Sequence, residues 1–301
     1  MRFGIMAMQL DALIPPGLPA DQVLARVASF NLPDLVRRLH AQGFNPVELG
    51  GDLPMFLPHT FSPQVIETLA ELKSELGIVY TLHLPLWSVE PSTPLAPVRS
   101  GSVEALVQAV QNTMSLQPEV YVLHATGALA AEFYNMKLPE VARSVILDLF
   151  QNNARQSLQE LLSETGIPSR QLAIETIEFP FERTLRLAEE LDLSICFDTG
   201  HVLVGFSGPV DFFEALERCL PRLAEVHLHD SAWHGSLNGP GYSLDHKVLG
   251  KGELDVPRLL ERLDQTGFEG PVVFELRVEE ALESMQFIQG LRSKSSRETP
   301  L

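Results

Sequence analysis

Eight short apolar runs, at residues 2–6, 46–49, 78–84, 120–124, 172–176, 193–198, 224–229 and 272–276, constrain this chain more than any other feature. Each is rich in β-branched or aromatic residues and apolar almost throughout. That pattern suits parallel strands buried on both faces rather than strands with one wet face. Between the runs lie segments of helical spacing, clearest in Val103, Leu106, Val107, Val110 and Met114, which share one helix face. Further helices are expected over 32–42, 63–76, 138–164, 181–191, 210–220 and 256–266, the last opened by Asp255 as N-cap with Pro257 in its first turn. Strand and helix alternate without a linker or a shift in composition. Eight such units favour closure into a single-domain (β/α)8 TIM barrel over residues 1–293, ahead of an open sheet with a second domain, with 294–301 as a polar tail.

Charge narrows the partners. Twenty-two basic residues against thirty-nine acidic ones leave a formal charge of −17, which disfavours capture of a polyanion such as duplex nucleic acid. The two cysteines, Cys196 and Cys219, have no partner at metal-knuckle or redox spacing and read as core thiols. The opening run MRFGIMAMQL breaks at Asp11, and no apolar stretch reaches the roughly 18 residues of a membrane span. A cytoplasmic protein with no membrane partner is expected; its oligomeric state is left open.

In a barrel of this kind chemistry belongs to the C-terminal strand ends. Those ends carry His83 (third run), His124 (fourth), Glu175 (fifth), Asp198 with His201 (sixth), His227 and His229 (seventh) and Glu275 (eighth). Five of the nine histidines fall on or just after a tip, and a sixth, His246, follows the seventh run. Taken alone, a buried histidine is more often a hydrogen-bonded core residue than a ligand. Glu175 inside LAIETIEF and Asp198 inside ICFDTGH are harder to dismiss, because a carboxylate in such a setting must be paired, neutralised or metal-bound. Imidazole and carboxylate together suit zinc, with manganese or iron as alternatives, better than the oxygen-only sites of magnesium or calcium.

The strings FDTGH, EVHLHDS, HKVLGKGELD and VVFEL, in that order and spacing, resemble the xylose-isomerase-like, or AP-endonuclease-type, TIM barrels over nearly the whole chain. That superfamily includes sugar isomerases and epimerases as well as endonuclease IV. The single-metal set of its isomerases would be supplied by Glu175, Asp198, His227 and Glu275. The trinuclear zinc set of endonuclease IV adds histidines at places occupied here by His83, His124, His201 and His246. The resemblance therefore implies a first metal on His83, His124 and Glu175, a second on Glu175, Asp198, His227 and Glu275, and a third on His201 and His246. Where the family has an aspartate two residues before the last histidine this chain has Leu244, with Asp245 directly before His246. Asp245 or His229 then completes the third site. One to three divalent ions per chain are expected.

A close metal cluster suits phosphoryl chemistry, so the leading expectation is hydrolysis of a phosphodiester in a small-molecule substrate, with Glu175, Glu275 and His246 as catalytic residues. The loop HLPLWSVEPST is apolar and proline-rich where a DNA-bending enzyme would be basic; with VELGGDL and LHATGALAAEF it resembles the cobamide-remodelling phosphodiesterase branch, which implies a corrinoid nucleotide as substrate. Trp87, Trp233, Tyr242 and Lys247 are candidate substrate contacts, and the loop 231–248 is a candidate lid. Glu178 and Glu48, at strand ends, are read as supporting or loop carboxylates ahead of substrate contacts, and Lys251, like Lys247, either meets a phosphate or is solvated. Two rival readings stand beside this one: a single-metal sugar or polyol isomerase or epimerase, and a non-catalytic metal- and ligand-binding barrel.

Overall fold

The computed structural model describes residues 1–6, 17–231 and 244–295. Eight parallel strands close into a barrel in sequence order: β1 (Arg2–Met6), β2 (Val47–Gly50), β3 (Tyr80–His83), β4 (Tyr121–Leu123), β5 (Leu172–Glu175), β6 (Ser194–Asp198), β7 (Leu223–Leu228) and β8 (Pro271–Phe274). Closure is carried by β1 against β8, with Arg2 opposite Pro271 and Ile5 opposite Phe274. The expected (β/α)8 barrel is the fold, with strand ladders starting or ending a residue or two from the apolar runs.

Alternation along each strand sorts the two faces. Ile5, Val47, Leu49, Leu82, Leu123, Ile174, Ile195, Phe197, Val226, Leu228 and Phe274 point outward into one continuous core beneath the helices. Val122, Ala173 and Cys196 form a separate small cluster with Val120, packed inside the barrel. The inner positions nearer the C-terminal ends are polar and fully or nearly buried: Glu48, Thr81, His83, Glu175, Asp198, Glu225 and His227. A strand with period 2 can thus look apolar while carrying one charged inner residue.

The helices over α1 (Ala20–Ala28), α2 (Leu32–Ala41), α3 (Leu53–Phe56), α4 (Pro63–Leu76), α5 (Ala96–Thr113), α6 (Ala128–Asn135), α7 (Glu140–Thr165), α8 (Phe181–Glu190), α9 (Thr199–Leu203), α10 (Phe212–Cys219), α11 (Val256–Gln265) and α12 (Val278–Ser295) cover the barrel and its rim. Asp255 caps α11 as its sequence implies, accepting from the Arg258 N–H at 3.1 Å. The helices α1, α3, α6, α9 and α12 were not read as periodic segments; three of them span eight residues or fewer. The last helix runs to Ser295, two residues past the expected end of the barrel. Among the described residues no helix is long and apolar enough to cross a membrane.

Candidate metal centre

Strand geometry delivers the site. Because the strands are parallel, their C-terminal ends meet at one mouth, and their inner residues there are the imidazoles and carboxylates named above. Of four groups of donor atoms among the described residues, each with its ligand atoms within 4.8 Å of one another, one lies beneath the mouth (Glu48, Glu225 and His227) and three at it: His83, His124 and Glu175; Glu175, Asp198, His227 and Glu275; and His201, His229, His246 and Glu275. Glu175 is shared by the first two groups and Glu275 by the last two.

Glu175 sits at the centre. Its Oε2 lies 3.1 Å from His83 Nε2 and 3.0 Å from His124 Nε2, while its Oε1 lies 3.0 Å from His201 Nδ1. His227 Nδ1 stands 3.2 Å from Glu275 Oε1, 3.7 Å from Glu175 Oε2 and 3.8 Å from Asp198 Oδ2. Glu175 Oε1, His201 Nδ1 and both nitrogens of His227 are buried and lack a well-aligned hydrogen bond. Lone pairs crowded at such distances without hydrogen-bond geometry fit a shared cation, and the mixed imidazole and carboxylate donors fit a transition metal.

The electrostatics are mutual. Burial by itself would raise Glu175, but the imidazoles of His124 and His227 hold it well below the usual carboxylate range. Burial would lower His83 and His201; the neighbouring carboxylates overcome that and push each up to about 9. His246 goes up to about 11, with Asp245 and Glu275 outweighing its burial. A metal must displace these protons. Zinc added to the metal-free protein at pH 7 is therefore expected to release protons, and its apparent affinity to rise as the pH climbs toward 9. The stability of the metal-free chain should move oppositely: a raised imidazole contributes fully below its unfolded value of about 6.5, and that contribution is lost as pH rises through about 9. Calorimetric zinc titrations in buffers of different ionisation enthalpy check this; a pH-independent affinity would contradict it.

The loop after β7 brings in the third group. Asp230 and Lys247 exchange both backbone hydrogen bonds at 2.8 Å, and the buried Asp230 carboxylate accepts from the N–H groups of Ser231, Gly250, Gly252 and Leu254 at 2.8–2.9 Å. A Cβ at Gly252 would lie 2.4 Å from that carboxylate, so only glycine lets the loop close over it. His246 rides on this loop in the left-handed region, at φ 55°, a conformation non-glycine residues adopt sparingly and often at functional sites. Asp245 Oδ2 lies 3.2 Å from His246 Nδ1 and 3.7 Å from His201 Nε2.

A cavity of about 670 Å³ opens above the cluster, lined by His83, His124, Glu175, His201, His246 and Glu275 on its floor. Trp87 and Lys247 line it, Trp87 half exposed and edge-on to Phe56 at 5.8 Å. Met6, Leu86, Leu276, Arg277 and Glu280 line it too and were not singled out from the sequence. Trp233, Tyr242 and most of the candidate lid lie outside the described residues. Lys251 is paired with Glu283 at 2.7 Å, and Glu178 is held by Asn135; neither lines this cavity. Glu48 takes a supporting place, not a loop one. It is fully buried beneath the cluster with Glu225, which burial and the charge of Glu48 push well above the usual range; Thr81 Oγ1 lies 3.1 Å from each, and Glu48 Oε1 lies 3.3 Å from His227 Nε2.

Residues 36–291 match the family described as xylose isomerase-like TIM barrel. The chain is 24% identical over 244 residues to the uncharacterized protein MJ1311 of Methanocaldococcus jannaschii, covering 77% of this chain and 76% of that one. Among solved structures it is similar to a D-tagatose 3-epimerase-like protein, with TM-score 0.67, 20% identity and 99% of both chains covered. Endonuclease IV from Thermus thermophilus superposes with TM-score 0.62 at 18% identity, covering 98% of this chain and all (100%) of that one. At these identities the structural likeness speaks to the fold alone.

Proposed function

The chain belongs to the xylose isomerase-like TIM barrel family, and on that footing we propose that it is a metal-dependent hydrolase of a phosphodiester, or a related phosphate ester, in a small or medium-sized molecule. The observation that carries the reading is the convergence of three donor groups on one mouth, joined through Glu175 and Glu275. An isomerase working with one ion needs only Glu175, Asp198, His227 and Glu275 as ligands; His83, His124, His201 and His246 would then be substrate contacts. Endonuclease IV among the similar structures is consistent with the hydrolytic reading, as the epimerase-like protein is with the isomerase alternative.

The first ion would be held by His83, His124 and Glu175, the second by Glu175, Asp198, His227 and Glu275, and the third by His201 and His246. Zinc, or manganese or iron in its place, would supply positive charge for a phosphoryl oxygen and a water of lowered pKa. Glu275, which lines the cavity with a side chain 10% exposed, would help hold and orient an attacking water whose proton the bound ions make easier to lose. His246, with Nε2 3.3 Å from Glu275 and lining the cavity, would hold the ion that neutralises a departing oxygen. Lys247 and Arg277, on one side of the same cavity, offer cationic donors to non-bridging phosphate oxygens. Trp87, Leu86, Met6 and Leu276 offer an apolar wall to the organic part, for which the loop strings around Trp87 imply a corrinoid nucleotide.

The test is a turnover screen of the zinc-, manganese- and iron-loaded protein against phosphodiesters, corrinoid nucleotides included, and ketoses. Phosphodiester hydrolysis supports the reading; ketose epimerisation alone replaces it with the isomerase. Turnover of neither leaves the binding barrel. With an aromatic phosphodiester, Trp87→Ala is expected to raise KM by up to about 10-fold with little change in kcat, the scale of one lost ring contact. An unchanged KM would remove Trp87 from the substrate site.

A further inference from the structure

His229 has ligand chemistry, lies at the third donor group and is fully buried, yet its two nitrogens are already committed. The backbone N–H of His246 donates to His229 Nδ1 at 2.8 Å. A nitrogen that accepts from an amide carries no hydrogen, so the ring's hydrogen sits on Nε2. That nitrogen lies 3.0 Å from Asp198 Oδ2, an acceptor. An imidazole engaged in this way has no lone pair left for a metal. Asp245, with Oδ2 near both His201 and His246, is the better partner for the third group.

Three further contacts hold the ring in place. Thr199 Oγ1 lies 3.1 Å from the His229 N–H and 2.7 Å from its carbonyl oxygen, fixing the backbone at the strand end. The ring stacks on that of His246, with centroids 4.1 Å apart and planes 9° from parallel. On its other side it lies over Gly200, where a Cβ would come within 2.0 Å of His229 Cε1. The glycine of FDTGH is therefore clearance for this imidazole.

We propose that His229 is a positioning residue rather than a metal ligand: it ties the carboxylate of Asp198 to the backbone of His246 and so seats the loop that completes the third donor group. The inference rests on the metal reading above, and deepens it by coupling the second group, through Asp198, to the third, through His246. Asp198 keeps Oδ1 engaged with the His201 N–H at 2.7 Å, so this one carboxylate orders both histidines of the third group.

Two measurements decide it. In long-range proton–nitrogen NMR spectra of histidine-labelled protein, metal-free and zinc-loaded, His229 is expected to show a hydrogen on Nε2 in both. Loss of that hydrogen on loading, with the shift of a metal-bound nitrogen, would overturn the proposal. Zinc titration of variants gives the second readout. His229→Gln keeps one donor and one acceptor but no imidazole, and should bind its last ion within a few-fold of wild type. His229→Ala should weaken that ion about 10- to 100-fold, the usual effect of losing an outer partner, and should also weaken the ion on Asp198, with the ion on His83 and His124 unaffected. If His229 were a ligand, the glutamine variant would lose the ion as completely as the alanine variant. A wild type that binds no third ion sinks the trinuclear reading, while the metal-free spectrum still decides the hydrogen on His229. Should His229→Ala fail to fold, the glutamine variant and the spectra suffice.

Discussion

Glu175→Ala is expected to strip the chain of at least two metal ions and to lower phosphodiester turnover on the order of 10³-fold, the scale of removing a principal electrostatic element from a catalytic site. The reason is geometric. One carboxylate meets His83 and His124 through Oε2, at 3.1 and 3.0 Å, and His201 through Oε1 at 3.0 Å, and it belongs to both of the first two donor groups. Glu175→Gln is the sharper variant because it keeps the volume but removes the charge and turns one of two ligating oxygens into a donor that cannot coordinate a cation. Equal metal content and turnover in wild type and glutamine variant would show that Glu175 is only a buried hydrogen-bond acceptor.

The largest effect on stability is expected at Asp230. Its carboxylate satisfies four backbone N–H groups of the loop after β7, and the residue is fully buried, so Asp230→Ala leaves those donors without a partner. A loss on the order of 4 kcal/mol is expected, in line with removing one partner of a buried charged network. Because that carboxylate holds the loop on which His246 rides, through the N–H groups of Gly250, Gly252 and Leu254, the variant should also lose the third ion while keeping those on Glu175. Denaturant unfolding of the metal-free protein, followed by metal analysis, separates the two effects. A loss under about 1 kcal/mol would mean that water replaces the carboxylate without consequence.

The strand ends were legible from sequence because a parallel barrel leaves its chemistry little choice of place: the last inward residue of each strand must face the mouth, and in β3, β5 and β6 that residue is His83, Glu175 or Asp198. Residue type at a tip was enough to gather the donor set. Depth along the inner face was not legible. Glu48 and Glu225 lie inside the same apolar-looking runs as the outward core residues, and nothing in their spacing says that they meet across the barrel beneath His227. Hydrogen placement was equally hidden. His229 sits two residues after His227 on the same strand face, and only the amide of His246, seventeen residues away, shows that it is spoken for. Asp230 was passed over because an aspartate at a strand end reads as solvated until the returning loop, with its glycines, is seen to wrap around it.

Metal content per chain tests the central claim most directly. Wild-type protein, stripped with chelator, reloaded with zinc and dialysed, should hold between two and three ions per chain by elemental analysis, and His83→Ala and His246→Ala should each hold fewer and turn over poorly. One ion per chain or none, or full metal content and full turnover in both variants, would contradict the trinuclear hydrolytic site.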